Sequence, residues 1–285
     1  MKSDSGPLRP IDTIERAHLK EPGDASHTMF RYEPDPALHG LVERFWIPVW
    51  SVPPGQEAPQ RVLQYPHCLF VITNTYARFY GVVSGLSTTT LTGDGWAVGV
   101  MCAPSAGYLI TGRSVSEYTD THVPVADVLG AAGEQLTERV RTVMRSDPTA
   151  ATAHGEAMAA YTDVLRGSLP VDEEGQLINA VVAFVEQNPD VLRVAQVCAE
   201  FDLTERSLQR LVRRRVGLSP KWLIQRRRLQ EAAQRLREQP RSLADVAAVL
   251  GYADQAHFSR DFTRVTALTP REFAKAWAGV AGPAS

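Results

Sequence analysis

The last third of the chain contains one pattern twice. Val194-Ala195-Gln196-Val197-Cys198-Ala199 aligns with Leu243-Ala244-Asp245-Val246-Ala247-Ala248 at an offset of 49, and Phe201 falls opposite Leu250. One residue is added in the turn that follows. Thr204 then pairs with Asp254, Leu208 with Phe258, Arg210 with Arg260, Val212 with Phe262 and Ser219-Pro220 with Thr269-Pro270, at an offset of 50. Two copies of one supersecondary unit are the simplest source of such a pattern.

Each copy has the physics of a helix-turn-helix. A short first helix carries Ala195 and Ala199, or Ala244 and Ala248, whose small side chains are expected to let another helix approach closely. A turn follows, Asp202-Leu203 or Gly251-Tyr252-Ala253, and Gly251 tolerates positive φ at little cost. Thr204 and Asp254 are placed to cap the next helix, because a side-chain oxygen there accepts from an otherwise unpaired backbone N–H. Leu208, Leu211 and Val212 in one copy, and Phe258, Phe262 and Val265 in the other, repeat at three or four and so share one buried face. The opposite face carries Arg206, Gln209, Arg210 and Arg213, then Gln255, Ala256, His257, Ser259, Arg260 and Arg264. Arg matches guanine O6 and N7, and Gln matches adenine N6 and N7, in the major groove. An arginine-rich face can also be merely solvated, but the same polar solution in both copies argues for DNA.

Between the copies, Lys221 to Gln239 outlines an amphipathic helix of about 28 Å at 1.5 Å per residue, near the ~34 Å of one DNA turn. The run Arg226-Arg227-Arg228 reads either as phosphate contacts or as structure, and Arg228 favours structure. Charge supports the nucleic-acid reading. Residues 1–171 hold 13 Lys and Arg against 18 Asp and Glu, whereas residues 193–275 hold 17 against 9, a basic module beside an acidic one.

The first half reads as strands with Gly, Asn or Asp between them: Val42 to Trp50 around Pro48, Cys68 to Thr73, Tyr76 to Val83, Ser87 to Thr92 and Trp96 to Cys102. Helices follow near Val125–Gly130, Glu134–Met144 and Thr149–Arg166. A stripe of Ile178, Val181, Val182 and Val185 then stops at Asn188-Pro189. The expected class is α+β, a β-rich sandwich or barrel with helices and then an all-α domain with two helix-turn-helix units. The expected organisation is a flexible tail over 1–26, a β-rich sensor or dimerisation domain over 27–168, a linker over 169–176 and a DNA-binding domain over 177–279. No apolar run is long enough to span a bilayer, and no secretory-type run opens the chain, so a cytoplasmic home is expected. Cys68, Cys102 and Cys198 are too few and scattered for a disulfide framework.

From Ile178 to Phe273 the residues resemble the AraC/XylS family of bacterial transcriptional regulators. The most specific stretch runs from Leu243 to Phe262, a small-residue helix, then Gly251-Tyr252, then Phe258-Ser259-Arg260-Asp261-Phe262. Arg228-Leu229-x-x-Ala232 resembles the connecting helix and Gly217-x-Ser219-Pro220 the end of the first unit. The resemblance implies a seven-helix domain with base-reading positions at Arg206, Gln209 and Arg210, then Gln255, His257 and Arg260. Two departures stand out: Ala267 where the family usually has Gly, a cost if φ is positive there, and Thr263 in place of a frequent Lys. Tyr32-x-Pro34, the strand-rich middle and Pro124-x-x-Asp127-Val128-Leu129 resemble a family sensory half, which implies a cupin-like or related fold that binds an effector, self-associates, or both.

No catalytic cluster, phosphate loop or cofactor motif is found. His67, Cys68, Cys102 and His122 lack the spacing of a metal site and read as core. Trp46, Tyr65, Trp96, Arg78 and Tyr80 are candidates for a ligand pocket, with ordinary sheet packing the stronger reading of each. The function expected is a sequence-specific regulator that binds double-stranded DNA, with a small-molecule effector, a second copy of the chain and RNA polymerase (for an activator) as further partners. The competing reading is an enzyme tethered to DNA.

Overall fold

A computed structural model describes residues 18–19, 24–238 and 242–277. The tail expected over 1–26 lies outside the described residues apart from residues 18–19 and 24–26.

Among the described residues eight strands form the first half: β1 (His27–Tyr32), β2 (Val42–Ser51), β3 (Ala58–Val62), β4 (Leu69–Thr73), β5 (Ala77–Tyr80), β6 (Ser87–Leu91), β7 (Asp94–Cys102) and β8 (His122–Pro124). Six make one antiparallel sheet in the order β1-β2-β7-β4-β5-β8, and β3 pairs with β6 in a two-stranded ribbon. Pro48 does not break β2. Its partner on the β1 side is Met29, and the β2–β7 register resumes on either side of it, at Trp46↔Gly99 and Val49↔Trp96. Because side chains alternate along a strand, Phe45, Ile47, Phe70, Ile72, Phe79, Val98 and Val100 share one face and are buried.

That face is covered by helices: α1 (Ala106–Thr111), α2 (Val125–Leu129), α3 (Ala131–Met144) and α4 (Ala151–Leu165). Leu136, Val140 and Met144 of α3 and Ala157 and Tyr161 of α4 are buried in the same core, and the Tyr161 hydroxyl donates to the Val98 carbonyl at 3.2 Å. Each such apolar side chain contributes roughly 1.5–3 kcal/mol.

Seven helices follow among the described residues: α5 (Glu173–Gln187), α6 (Val194–Glu200), α7 (Glu205–Arg215), α8 (Pro220–Glu238), α9 (Leu243–Val249), α10 (Gln255–Thr266) and α11 (Pro270–Trp277). Helix α5 begins inside the stretch expected to be linker. Asp172 caps it, accepting from Gly175 N–H, and its stripe Ile178, Val181, Val182 and Val185 is buried. The core under the sheet runs on without a break into this stripe and into Leu208, Leu211 and Val212 of α7. A second core joins Phe258, Phe262 and Phe273 to Leu229, Ala232 and Ala233 of α8, and takes Leu19 and Leu63 from the first half.

The repeat extends to the backbone. Asp202 (φ 49°) and Gly251 (φ 70°) both turn left-handed between the helices of their unit, and Gly217 (φ 89°) and Ala267 (φ 59°) both turn left-handed after the second helix. Asp tolerates this region better than most residues. The small residues act otherwise than expected: Ala195, Ala199, Ala244 and Ala248 face solvent, while Val197 and Val246, with Ala247, turn inward.

The end of α7 is fixed to the start of α5. Arg215 is fully buried, bonds Asp172 and Glu174, and lies over the Tyr108 ring at 4.3 Å. Burial pushes the Asp172 carboxyl up. Hydrogen bonds from Arg215 and Gly175, with the charges of Arg215 and Arg214, outweigh this and leave it below its ordinary value of 3.8.

Two predictions follow from the packing. The pair's contribution is fully present above about pH 4, the unfolded carboxyl's range, and is lost as pH falls through the lower folded value. Acid denaturation of Arg215→Met should lack this component. Ala267→Gly removes a left-handed Cβ and should raise stability by roughly 0.5–1 kcal/mol, read as a higher urea midpoint at constant slope. A lower midpoint would contradict the strain.

Candidate nucleic-acid interface

The second helix of each unit is held from behind and presented outward. Thr204 Oγ1 accepts from Ser207 N–H at 3.2 Å to start α7, and Asp254 Oδ1 accepts from His257 N–H at 2.7 Å to start α10. Leu208 and Val212, then Phe258 and Phe262, are fully buried. With those faces inward, Arg206, Gln209, Arg210 and Arg213 on α7 and Gln255, Ala256, His257 and Arg260 on α10 are exposed.

The arginines divide into two groups. Arg214 pairs with Glu174, Arg215 with Asp172 and Glu174, and Arg227 and Arg235 with Glu231. Arg206, Arg210, Arg213 and Arg260 have no acidic partner within ion-pair distance among the described residues. Exposed guanidinia without internal partners are available to phosphates and base edges. Gln209 Nε2 donates to Glu205 Oε1 at 3.1 Å, which orders its amide along the ridge.

The run Arg226-Arg227-Arg228 on α8 faces the other way, which corrects the phosphate alternative. Arg226 is buried. Its Nη2 donates to the carbonyls of Ser84 at 2.5 Å and Gly85 at 2.9 Å, and its guanidinium lies over the Trp222 ring at 4.7 Å. Burial pulls its pKa down to about 10, against the charge of Asp120. Arg227 Nη2 donates to the Val191 carbonyl at 2.9 Å. Arg228 is structural as expected: its Nε donates to the Leu250 carbonyl at 2.8 Å and its guanidinium stacks on Tyr252 at 3.8 Å.

The residues weighed as a ligand pocket do not all converge, although Arg78 Nη1 donates to the Tyr80 hydroxyl at 3.5 Å. Trp46 lies against Gly99 on the face that Arg78 and Tyr80 share, while Trp96 points into the core on the opposite face. Tyr65 is buried away from them beside His67. Arg78 lies over Tyr76 at 4.4 Å. His67 is buried, with Nδ1 2.7 Å from the Cys102 carbonyl, and burial lowers its pKa to about 4. Burial pushes the Cys68 thiol up to about 12 and holds the Cys102 thiol well above its ordinary value. His122 stands apart, exposed and against Tyr80 at 5.2 Å. His67, Cys68 and Cys102 have the features of core packing, whereas the core reading of His122 is corrected by its exposure.

Sequence reasoning missed two residues. Arg215 is an internal anchor at the end of an arginine run. Asp261 of α10 accepts from Gln225 Nε2 of α8 at 2.7 Å and from Arg264 Nη2 at 2.8 Å. The repeat held a signal for the second, since Asp261 aligns with the apolar Leu211.

Parts of the chain are similar to known proteins. A helix-turn-helix domain family matches residues 197–276, and a domain of unknown function, DUF6597, matches residues 30–124. The chain is 29% identical over 110 residues to the HTH-type transcriptional activator RhaR of Cronobacter sakazakii, covering 38% of this chain and 39% of that protein. It is 31% identical over 101 residues to RhaR of Yersinia pseudotuberculosis, covering 35% of each. The match thus spans well under half the length of these relatives. Among solved structures, ToxT from Vibrio cholerae aligns over 79% of this chain and 99% of that chain, with 12% identity and a TM-score of 0.41. A transcriptional regulator from Chromobacterium violaceum, described as having an AraC-type DNA-binding domain, aligns over 36% of this chain and 91% of that chain, with 25% identity and a TM-score of 0.32.

Arg226→Met should lower the unfolding free energy by about 1–3 kcal/mol, because the Ser84 and Gly85 carbonyls lose a buried donor. An unchanged urea midpoint would put this guanidinium in solvent.

Proposed function

We propose that the protein is a regulator of the AraC type that binds duplex DNA at a preferred sequence and regulates transcription from that site, a reading supported by the match of residues 197–276 to a helix-turn-helix domain family and by the similarity to RhaR. The observation that carries this reading is the exposed polar ridge on each of α7 and α10, where Arg206, Arg210, Arg213 and Arg260 have no acidic partner among the described residues, whereas Arg214, Arg215, Arg227 and Arg235 are paired. In this reading α7 and α10 enter successive major grooves, with α8 as the spacer. Its 19 residues correspond to roughly 28 Å, against ~34 Å for one turn of DNA.

Arg206, Gln209, Arg210 and Arg213 read or flank one half of the site, and Gln255, His257 and Arg260 the other. Residues 27–168 form the sensing or self-associating half and residues 177–279 the DNA-binding half. A small-molecule effector, a second copy of the chain and, for activation, RNA polymerase are the partners of this reading, in the cytoplasm and without catalysis. Among the described residues no helix is long and apolar enough to cross a membrane.

Genome-wide mapping of the protein's binding sites, followed by affinity measurements on the recovered sequence, tests this. Log affinity should fall linearly with log salt, at a slope of about 0.9 per phosphate neutralised. Arg210→Ala and Arg260→Ala should each cost about 1–3 kcal/mol of base discrimination. Variants that treat the recovered site and random duplex as the parent does would remove both residues from the reading surface.

A further inference from the structure

The two units differ at one aligned position in a way that packing explains and simple base reading does not. Leu211 of α7 is buried among the apolar residues of its unit. Its counterpart on α10 is Asp261, a carboxylate that would be costly to enclose without partners. The side chain of Asp261 is 18% exposed and has three polar neighbours. Gln225 Nε2 of α8 donates to Oδ2 at 2.7 Å, and Arg264 Nη2 donates to Oδ1 at 2.8 Å. His257 Nε2 lies 3.9 Å from Oδ2, within ion-pair range when the ring is protonated. The His257 ring also meets Tyr252 edge-on at 5.2 Å, and Tyr252 lies beneath the Arg228 guanidinium of α8. Two residues of the connecting helix therefore reach the polar ridge of α10, one through Asp261 and one through Tyr252.

A negative charge on a helix that faces DNA repels phosphates, so Asp261 works against affinity. What it supplies is order. Arg264 and His257 are 65% and 49% exposed, and fixing such side chains on binding costs rotamer entropy. A carboxylate that already bonds Arg264 and stands 3.9 Å from the His257 ring reduces that cost for one arrangement and not for others.

We propose that Asp261 is a positioning residue for the second recognition helix. It holds His257 and Arg264 in the arrangement that discriminates bases, and Gln225 ties that arrangement to the connecting helix. The proposal rests on α10 being a base-reading helix.

Selection from random-sequence duplexes by the intact chain, then by Asp261→Asn, tests it. Asparagine keeps the size and one acceptor but removes the charge. The expected variant retains sequence preference in the half-site read by α7 and loses it in the half-site read by α10. Its preference for the parent's selected sequence over random duplex should fall about tenfold, with affinity for random duplex equal or tighter. Gln225→Leu should lose the same half-site, and the double variant should be no worse than either single one. Unchanged preference in both halves overturns the proposal. So does a proportional loss in both halves with a lowered melting temperature, which is how a merely structural acid would behave. A parent chain that enriches no sequence brings down the base-reading assignment itself, and this proposal with it.

Discussion

Along α8, Arg226, Arg227, Gln230, Glu231 and Gln234 are all buried, and a helix that polar can be enclosed only where its head groups meet partners. The partners are spread over the whole molecule. Arg226 takes the Ser84 and Gly85 carbonyls, Gln230 Nε2 donates to the Leu63 carbonyl at 2.8 Å, and Arg227 takes the Val191 carbonyl. Glu231 sits between Arg227 and Arg235. The helix that spaces the two candidate recognition helices is therefore also the helix that the first half grips. Its polar side chains specify that grip in a way an apolar stripe would not, since each needs a particular carbonyl in a particular place.

Both units are joined to the first half, by different chemistry. The first is joined at its end: Thr119 Oγ1 donates to the Gly217 carbonyl at 3.0 Å, and Arg215 lies over Tyr108. The second is joined by apolar insertion, through Leu19 and Leu63, with Arg237 Nη2 donating to the His18 carbonyl at 2.7 Å. Between them stands the turn at Ser84, itself held by two bonds to Asp120. A molecule bound to the first half would alter DNA affinity only as far as it favours one arrangement of these contacts over another.

Much of this was legible beforehand because it depends on local rules. The repeat, the caps at Thr204 and Asp254 and the apolar faces of α7 and α10 follow from spacing alone. Ala267 carried its left-handed conformation in its alignment with Gly217. Other features depend on residues distant in the chain. A run of three arginines reads the same whether it meets phosphates or the carbonyl of a residue some 140 positions away. An alanine is small on an inner face and on an outer one, so Ala195 and Ala244 gave no sign of pointing outward. β3 contains Pro59, a residue that weakens a strand reading, and the six residues of α1 are too few to show a helical period. Asp261 escaped notice because a polar residue on a polar-looking helix attracts no attention until its counterpart in the other unit is seen to be a core leucine.

Leu19 and Leu63 sit inside the core of the second unit although they come from the opposite end of the chain. A chain assembled from interchangeable parts needs a seam where one piece can be exchanged without wounding the other, and this molecule has no such seam at residue 170. A chimera that grafted its last hundred residues onto a different first half would lose Leu19 and Leu63 from the second core, on the side where α8 bonds the His18 and Leu63 carbonyls. The replacement would have to arrive with its own two hydrophobic plugs for the same socket.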